Sequence, residues 1–142
     1  MHTALDIARY IINRCIDLGR PVSNLQLQKI LYYVQGEYMK KKNGEPLFID
    51  DIEAWQYGPV VPDVYYSYNI YSASDIVIRQ KQPELLESDM KLVDNIIEKK
   101  SKISAWDLVT ATHSEQPWIT VYRENRKEII PKNLIYSYFL QE

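Results

Sequence analysis

Residues 23–44 read SNLQLQKILYYVQGEYMKKKNG, and this stretch carries the best-punctuated element of the chain. Ser23 is a helix-capping residue with Gln26 three positions on, the arrangement in which each side chain satisfies a free backbone N–H of the other residue. Leu27, Ile30, Leu31, Val34 and Tyr38 recur at helical spacing and give the helix an apolar stripe. Lys40, Lys41 and Lys42 fall in the last turn, where cations favour the carbonyl end of the dipole, and Asn43-Gly44 stops the helix. The lysine run therefore reads as a solvated helix end.

Upstream, Thr3 can cap a first helix, with Asp6 in the capping-box position. Its apolar positions Ala4, Ala8, Ile11, Ile12, Cys15 and Ile16 end at Gly19 and Pro21. Downstream of the quoted stretch, Ile52, Ala54 and Gln56 alternate with Glu53, Trp55 and Tyr57, the period of a strand, and Gly58-Pro59 breaks it. Pro62 suits the first turn of a short helix carrying Val64, Tyr65 and Tyr68. Ile76-Val77-Ile78, after a turn at Ser72–Asp75, reads as a small strand pairing with residues 52–57. Ser88 is expected to cap a helix with Val93, Ile96 and Ile97 inward, and Ser104, with Asp107, another that contains Trp106, Leu108, Val109 and Ala111. Pro117 marks a break with a short turn through Ile119 and Tyr122 behind it, and Pro131 opens a last helix carrying Leu134, Ile135, Tyr138 and Phe139. The expected fold is α+β, mainly α: one compact helical domain over residues 1–142 with a small central β-hairpin-like element.

The 142 residues suit one ordinary domain, and 46% hydrophobic with 25% charged residues are globular values. Lys plus Arg is 17 and Asp plus Glu 19, spread so that both halves are near neutral, which leaves no basic half to engage phosphates. A single cysteine, Cys15, allows no internal disulfide and points to a reducing compartment. No signal peptide and no bilayer-length apolar run is visible, so a cytoplasmic protein without a membrane partner is expected. Tyrosine is over-used: there are 12, against 2 Phe and 3 Trp. It suits half-buried core edges and contact surfaces alike, and composition does not choose between them.

Little in the chain argues for catalysis. Four glycines leave no material for a phosphate loop, and one Cys with two His makes a structural zinc site implausible. Cys15 lies on the apolar stripe of the first helix, as a core residue would. His113 and Glu115 lack visible metal partners, and a bond from His113 to a helix end near Pro117 explains it as well. Asp50, Asp51 and Glu53 read as a solvated acidic loop. No catalytic residue, metal site or cofactor is expected. The first two helices, joined by Gly19-Arg20-Pro21-Val22, could front a small helix-turn-helix DNA-binding regulator, but the second offers Gln26, Gln28, Lys29 and Gln35 and no arginine, and the pI is about 5.7.

Three blocks carry a resemblance: Leu27-Gln28-Lys29-Ile30-Leu31-Tyr32-Tyr33-Val34-Gln35-Gly36, the run from Ile52 to Tyr65 containing Trp55-Gln56-Tyr57-Gly58-Pro59, and Thr112-His113-Ser114-Glu115-Gln116-Pro117-Trp118. In this order they resemble the Panacea antitoxin domain, a family of bacterial and prophage proteins that includes SocA-like antitoxins and phage-associated GepA-type proteins. The resemblance implies a non-enzymatic antitoxin of a toxin–antitoxin system that binds a cognate protein toxin, with some relatives delivering the toxin to an ATP-dependent protease of ClpXP type. Because the first helix starts almost at Met1, no added DNA-binding domain and no operator binding are expected. Tyr71 to Ser104 carries little of the likeness. Within the blocks, Leu27, Ile30 and Leu31 are expected in the core. Trp55 and Tyr57, flanking a turn held by Gly58 and Pro59, are expected at a toxin-binding surface, with Lys29, Tyr33, Tyr65, His113 and Trp118 as further candidates. If Lys29 points inward it needs a partner, and Glu53 is the candidate.

Overall fold

Helix α1 (Ala4–Asp17) opens where its cap directs: in the computed structural model, which describes residues 2–142, the Thr3 hydroxyl oxygen accepts from the Asp6 N–H. The expected capping box does not close, because the Asp6 carboxylate pairs with Arg9. Asp50 supplies the second cap instead, accepting from the Ala4 N–H at 2.8 Å. The acidic loop is thus committed rather than merely solvated, for Asp51 pairs with Lys132 at 3.0 Å and Glu53 accepts from the Trp55 indole.

Helix α2 (Asn24–Lys41) has the complete Ser23–Gln26 box and is the central element. Every residue from Leu27 to Gly36 is buried, so the expected one-sided stripe becomes burial all round. Helix α1, the short α3 (Pro62–Tyr68), α4 (Glu87–Lys100), α5 (Ala105–His113), α7 (Lys132–Leu140) and a β-hairpin surround it. No reading face is left along Leu27–Gly36 for a DNA groove. The buried polar residues of α2 hold backbone. Gln35 brackets the following loop, its Nε2 donating to the Phe48 carbonyl at 2.9 Å and its Oε1 accepting from the N–H groups of Leu47 and Phe48 at 2.9 and 3.3 Å.

The sheet has three antiparallel strands in the order β2 (Gly58–Val60), β1 (Ile52–Trp55), β3 (Glu128–Ile130). Glu53 stands opposite both Val60 and Ile129. Two expectations change here. Gly58 and Pro59 do not end the strand; they form its partner, and the turn is Gln56-Tyr57. Residues 76–78 are not a strand: the third strand comes from residues 128–130, about fifty residues later. Ile76 still reaches the core and donates its N–H to the Val22 carbonyl at 2.8 Å, but Val77 and Ile78 are exposed. This strap is held by Asn13 on α1, which accepts from the Gln80 N–H at 2.7 Å and donates to the Gln80 carbonyl at 3.0 Å.

Helix α4 begins one residue before the expected cap, with Leu86 at the cap position and no side-chain bond there. Ser104 caps α5 as expected. Pro117 does not interrupt a helix but sits in the first turn of α6 (Gln116–Val121), where a missing N–H costs nothing. Five buried tyrosines give each hydroxyl to a distant polar side chain: Tyr10 to Asp94, Tyr32 and Tyr33 to Glu115, Tyr38 to Asp89 and Tyr68 to Gln80. Tyr57 and Tyr66 are exposed, so the tyrosine excess serves both core and surface. Among the described residues no helix is long and apolar enough to cross a membrane.

Gly36 lets α7 approach α2: a Cβ built there would overlap the Phe139 ring. A Gly→Ala change inside a helix ordinarily gains up to about 1 kcal/mol. Gly36→Ala is expected to lose about 1–3 kcal/mol through overpacking, and Gly36→Ala with Phe139→Leu to recover most of it, read from urea unfolding.

Candidate functional site

The hairpin is built on a buried lysine. Gly58 has φ +113°, a conformation side chains rarely adopt, and a Cβ there would lie 2.6 Å from Lys29 Cε and 2.8 Å from Thr112 Oγ1. The strand therefore rests directly on the Lys29 side chain. Lys29 Nζ donates to the Pro59 carbonyl at 3.1 Å, and Gln28 Oε1 accepts from the Val61 N–H at 2.9 Å. These backbone groups lie on the side of β2 away from β1, so two adjacent side chains of α2 satisfy a sheet edge. Glu53 is not the partner of Lys29: its Oε1 accepts from Trp55 Nε1 at 2.8 Å, and Lys29 makes no ion pair among the described residues. Burial without a counter-charge pushes the Lys29 ammonium down to about 7.

Beside Thr112, the His113 ring stacks on Trp118 at 3.9 Å between centroids, and Trp118 stacks on Tyr122 at 4.5 Å, both within 14° of parallel. Trp118 Nε1 donates to the Trp55 carbonyl at 2.7 Å, which locks the stack to the hairpin. Burial lowers the affinity of His113 for a proton, the Gln56 backbone opposes this, and the Lys29 charge reinforces it. Glu115, at the start of α6, accepts from Tyr32 at 2.9 Å and Tyr33 at 2.7 Å, which ties the α5–α6 junction to α2. Burial raises the Glu115 carboxyl although both hydroxyls favour its charged form. Lys100 lies 4.0 Å over the Tyr33 ring.

In front of this scaffold lies a groove of about 910 Å³. Trp55, Tyr57, Tyr65, Trp106 and Tyr122 line it, with Gln56, Asn125, Arg126 and Lys127 among its polar lining. Tyr57 meets Trp106 edge-to-face at 5.3 Å, and the two are 48% and 59% exposed, a large apolar surface for two residues in water. The nine candidate residues divide accordingly. Trp55, Tyr57 and Tyr65 face the groove; Gly58 and Pro59 form the buried strand behind it; Lys29 and Tyr33 are in the core; His113 and Trp118 form the half-buried stack. Trp106, Tyr122 and Lys127 are lining residues that the sequence reading did not single out. The signal for Trp106 was its phase: Leu108, Val109 and Thr112 are the buried face of α5, and residue 106 falls outside that arc. Among the described residues no group of three or more His, Cys, Asp or Glu is placed to hold a metal ion. Cys15 is buried, its thiol pushed up to about 12.

A family model described as the SocA-like antitoxin, Panacea domain, matches residues 27–119, a span that holds all but the first three residues of α2, the hairpin and the His113–Trp118 pair. The chain belongs to this family. It is similar to Antitoxin SocA of Caulobacter vibrioides (strain NA1000 / CB15N), with 30% identity over 125 residues that take in 79% of this chain. The chain spans 66% of that relative's length. No solved structure matches. The Panacea match thus includes Lys29, the turn and the stack, while Lys127 and β3 lie beyond it.

Unfolded lysine keeps its proton to about 10.5 and Lys29 loses it near 7, so between these values the unfolded chain holds the extra proton and stability rises with pH. From pH 7 to 8.5 this group is expected to add about 1 kcal/mol per unit, and Lys29→Met to flatten the rise, measured by denaturant unfolding. Above pH 9 the buried thiol of Cys15 acts in the opposite sense, because the unfolded thiol ionises first.

Proposed function

We propose that this chain is an antitoxin that neutralises a cognate protein toxin by direct contact through the aromatic groove, with residues 1–142 acting as one Panacea-type unit and without chemistry of its own. The observation that carries the proposal is the pair Tyr57, in the hairpin turn, and Trp106, in the first turn of α5, which meet edge-to-face and stand exposed along the groove. Aromatic side chains on a preorganised support make the strongest contacts in protein interfaces, because they lose little conformational freedom on binding. The family supports an antitoxin role, and the relative from Caulobacter vibrioides carries that name.

The experiment is growth of cells that express the neighbouring reading frame, with and without this protein. Rescue is expected. Tyr57→Ala with Trp106→Ala should abolish it, with toxin affinity weakened at least about tenfold, while thermal unfolding stays nearly unchanged because both side chains are exposed. A harmless neighbour, or rescue that survives the double substitution, would sink the proposal for this face. Repeating the rescue in a host without ClpX separates two routes: blocking persists there, and delivery of the toxin to a ClpXP-type protease does not.

A further inference from the structure

One corner of the site has a sharper chemistry than the rest. Trp55, Tyr65 and Tyr66 are mutually tilted, with centroids 5.0 Å apart for Trp55–Tyr65, 5.4 Å for Tyr65–Tyr66 and 6.1 Å for Trp55–Tyr66. Ring faces carry negative charge density and attract cations. Continuing the β1–β3 register places Lys127 opposite Trp55, and its Nζ lies 4.1 Å from the ring centroid. Lys127 makes no ion pair among the described residues, whereas its neighbour Arg126 pairs with Glu128 at 3.4 Å. On the same face of β1, the Glu53 carboxylate accepts from the Trp55 indole and has no ion-pair partner among the described residues. The corner therefore combines aromatic faces, an uncompensated carboxylate and a flexible lysine as its present occupant.

We propose that this corner is a receptor for a basic side chain, arginine or lysine, of the toxin, and that Lys127 fills it in the free protein and leaves when the toxin binds. The inference rests on the antitoxin reading and specifies the chemistry of its contact. An arginine suits the site best, since its planar guanidinium stacks on one ring while forking towards a carboxylate. Lys127 is then a competitor, not a contact. Its loss removes both an occupant and a like charge, so truncating a groove residue should strengthen the complex.

The test is calorimetric titration of the purified protein with the product of the neighbouring reading frame, made inactive for handling. Lys127→Ala is expected to tighten binding about three- to tenfold, and Glu53→Gln to weaken it by a similar factor. Weaker binding by Lys127→Ala would make Lys127 itself the contact and overturn the proposal; unchanged binding would overturn it too, because the corner would then hold no partner charge. A second measurement needs no toxin: the Trp55 indole N–H resonance is followed by NMR during titration with N-acetyl-arginine amide, and with N-acetyl-norleucine amide as the uncharged control. A saturable shift with the arginine probe alone, larger in Lys127→Ala, supports the receptor even if the neighbouring product fails to bind, in which case only the antitoxin reading falls. Equal responses to the two probes overturn the receptor even if a toxin complex forms.

Discussion

The bond from the Lys29 ammonium to the Pro59 carbonyl, with Gln28 holding the Val61 N–H beside it, is the contact around which the molecule is arranged. A three-residue strand at a sheet edge has backbone groups with no neighbour, and leaving them unpaired in a core is costly. Here a helix takes the place of the missing strand. The contact requires the hairpin to sit on the Lys29 stem, which leaves room only for glycine at position 58, and it requires Lys29 to be buried with no counter-charge. The same device recurs twice: Gln35 brackets Leu47 and Phe48, and Asn13 brackets Gln80. One edge strand and two irregular segments are thereby fixed to helices by side chains that imitate a strand edge.

What this fixation achieves is a rigid presentation of aromatic surface. The Trp55 carbonyl anchors Trp118, the Trp118 ring orders His113 and Tyr122, and the exposed Tyr57 leans on Trp106. Tyrosine suits this architecture better than phenylalanine because each buried ring also supplies a hydroxyl. The pair Tyr32 and Tyr33 gives both to Glu115, more than eighty residues away, and so ties the first and third blocks of the family likeness to one point.

Several features were legible because they are local. The capping serines at 23 and 104, the stop at Asn43-Gly44, the alternation through residues 52–55 and the core positions Leu27, Ile30 and Leu31 all depend on neighbours in sequence, and all stand in the fold. The misreadings share one cause. Residues 76–78 have the composition of a strand but sit in a strap held at Ile76 by the Val22 carbonyl and at Gln80 by Asn13, not in a sheet; residues 128–130 are too short to signal a strand and become one because β1 has a free edge. Gly58-Pro59 looks like a break because glycine and proline usually are, yet as an edge strand β2 needs no N–H at position 59. Glu53 was a sensible partner for Lys29 by charge, but the pleat sends it to the opposite face of the sheet from Ala54 and the core.

The sequence by itself determined the mainly helical class, the capped starts of α1, α2 and α5, the aromatic turn and the family to which the chain belongs. These rest on capping, periodicity and contiguous motifs, which act within a few residues. Only the tertiary structure decided that α2 is enclosed on all sides, that Lys29 and Tyr33 work from within while Trp55, Tyr57 and Tyr65 face outward, and that Trp106, Tyr122 and Lys127 complete the groove. Those outcomes depend on which backbone groups are left unpaired when distant segments meet, and apart from the helical phase of Trp106 no spacing within the chain encodes them.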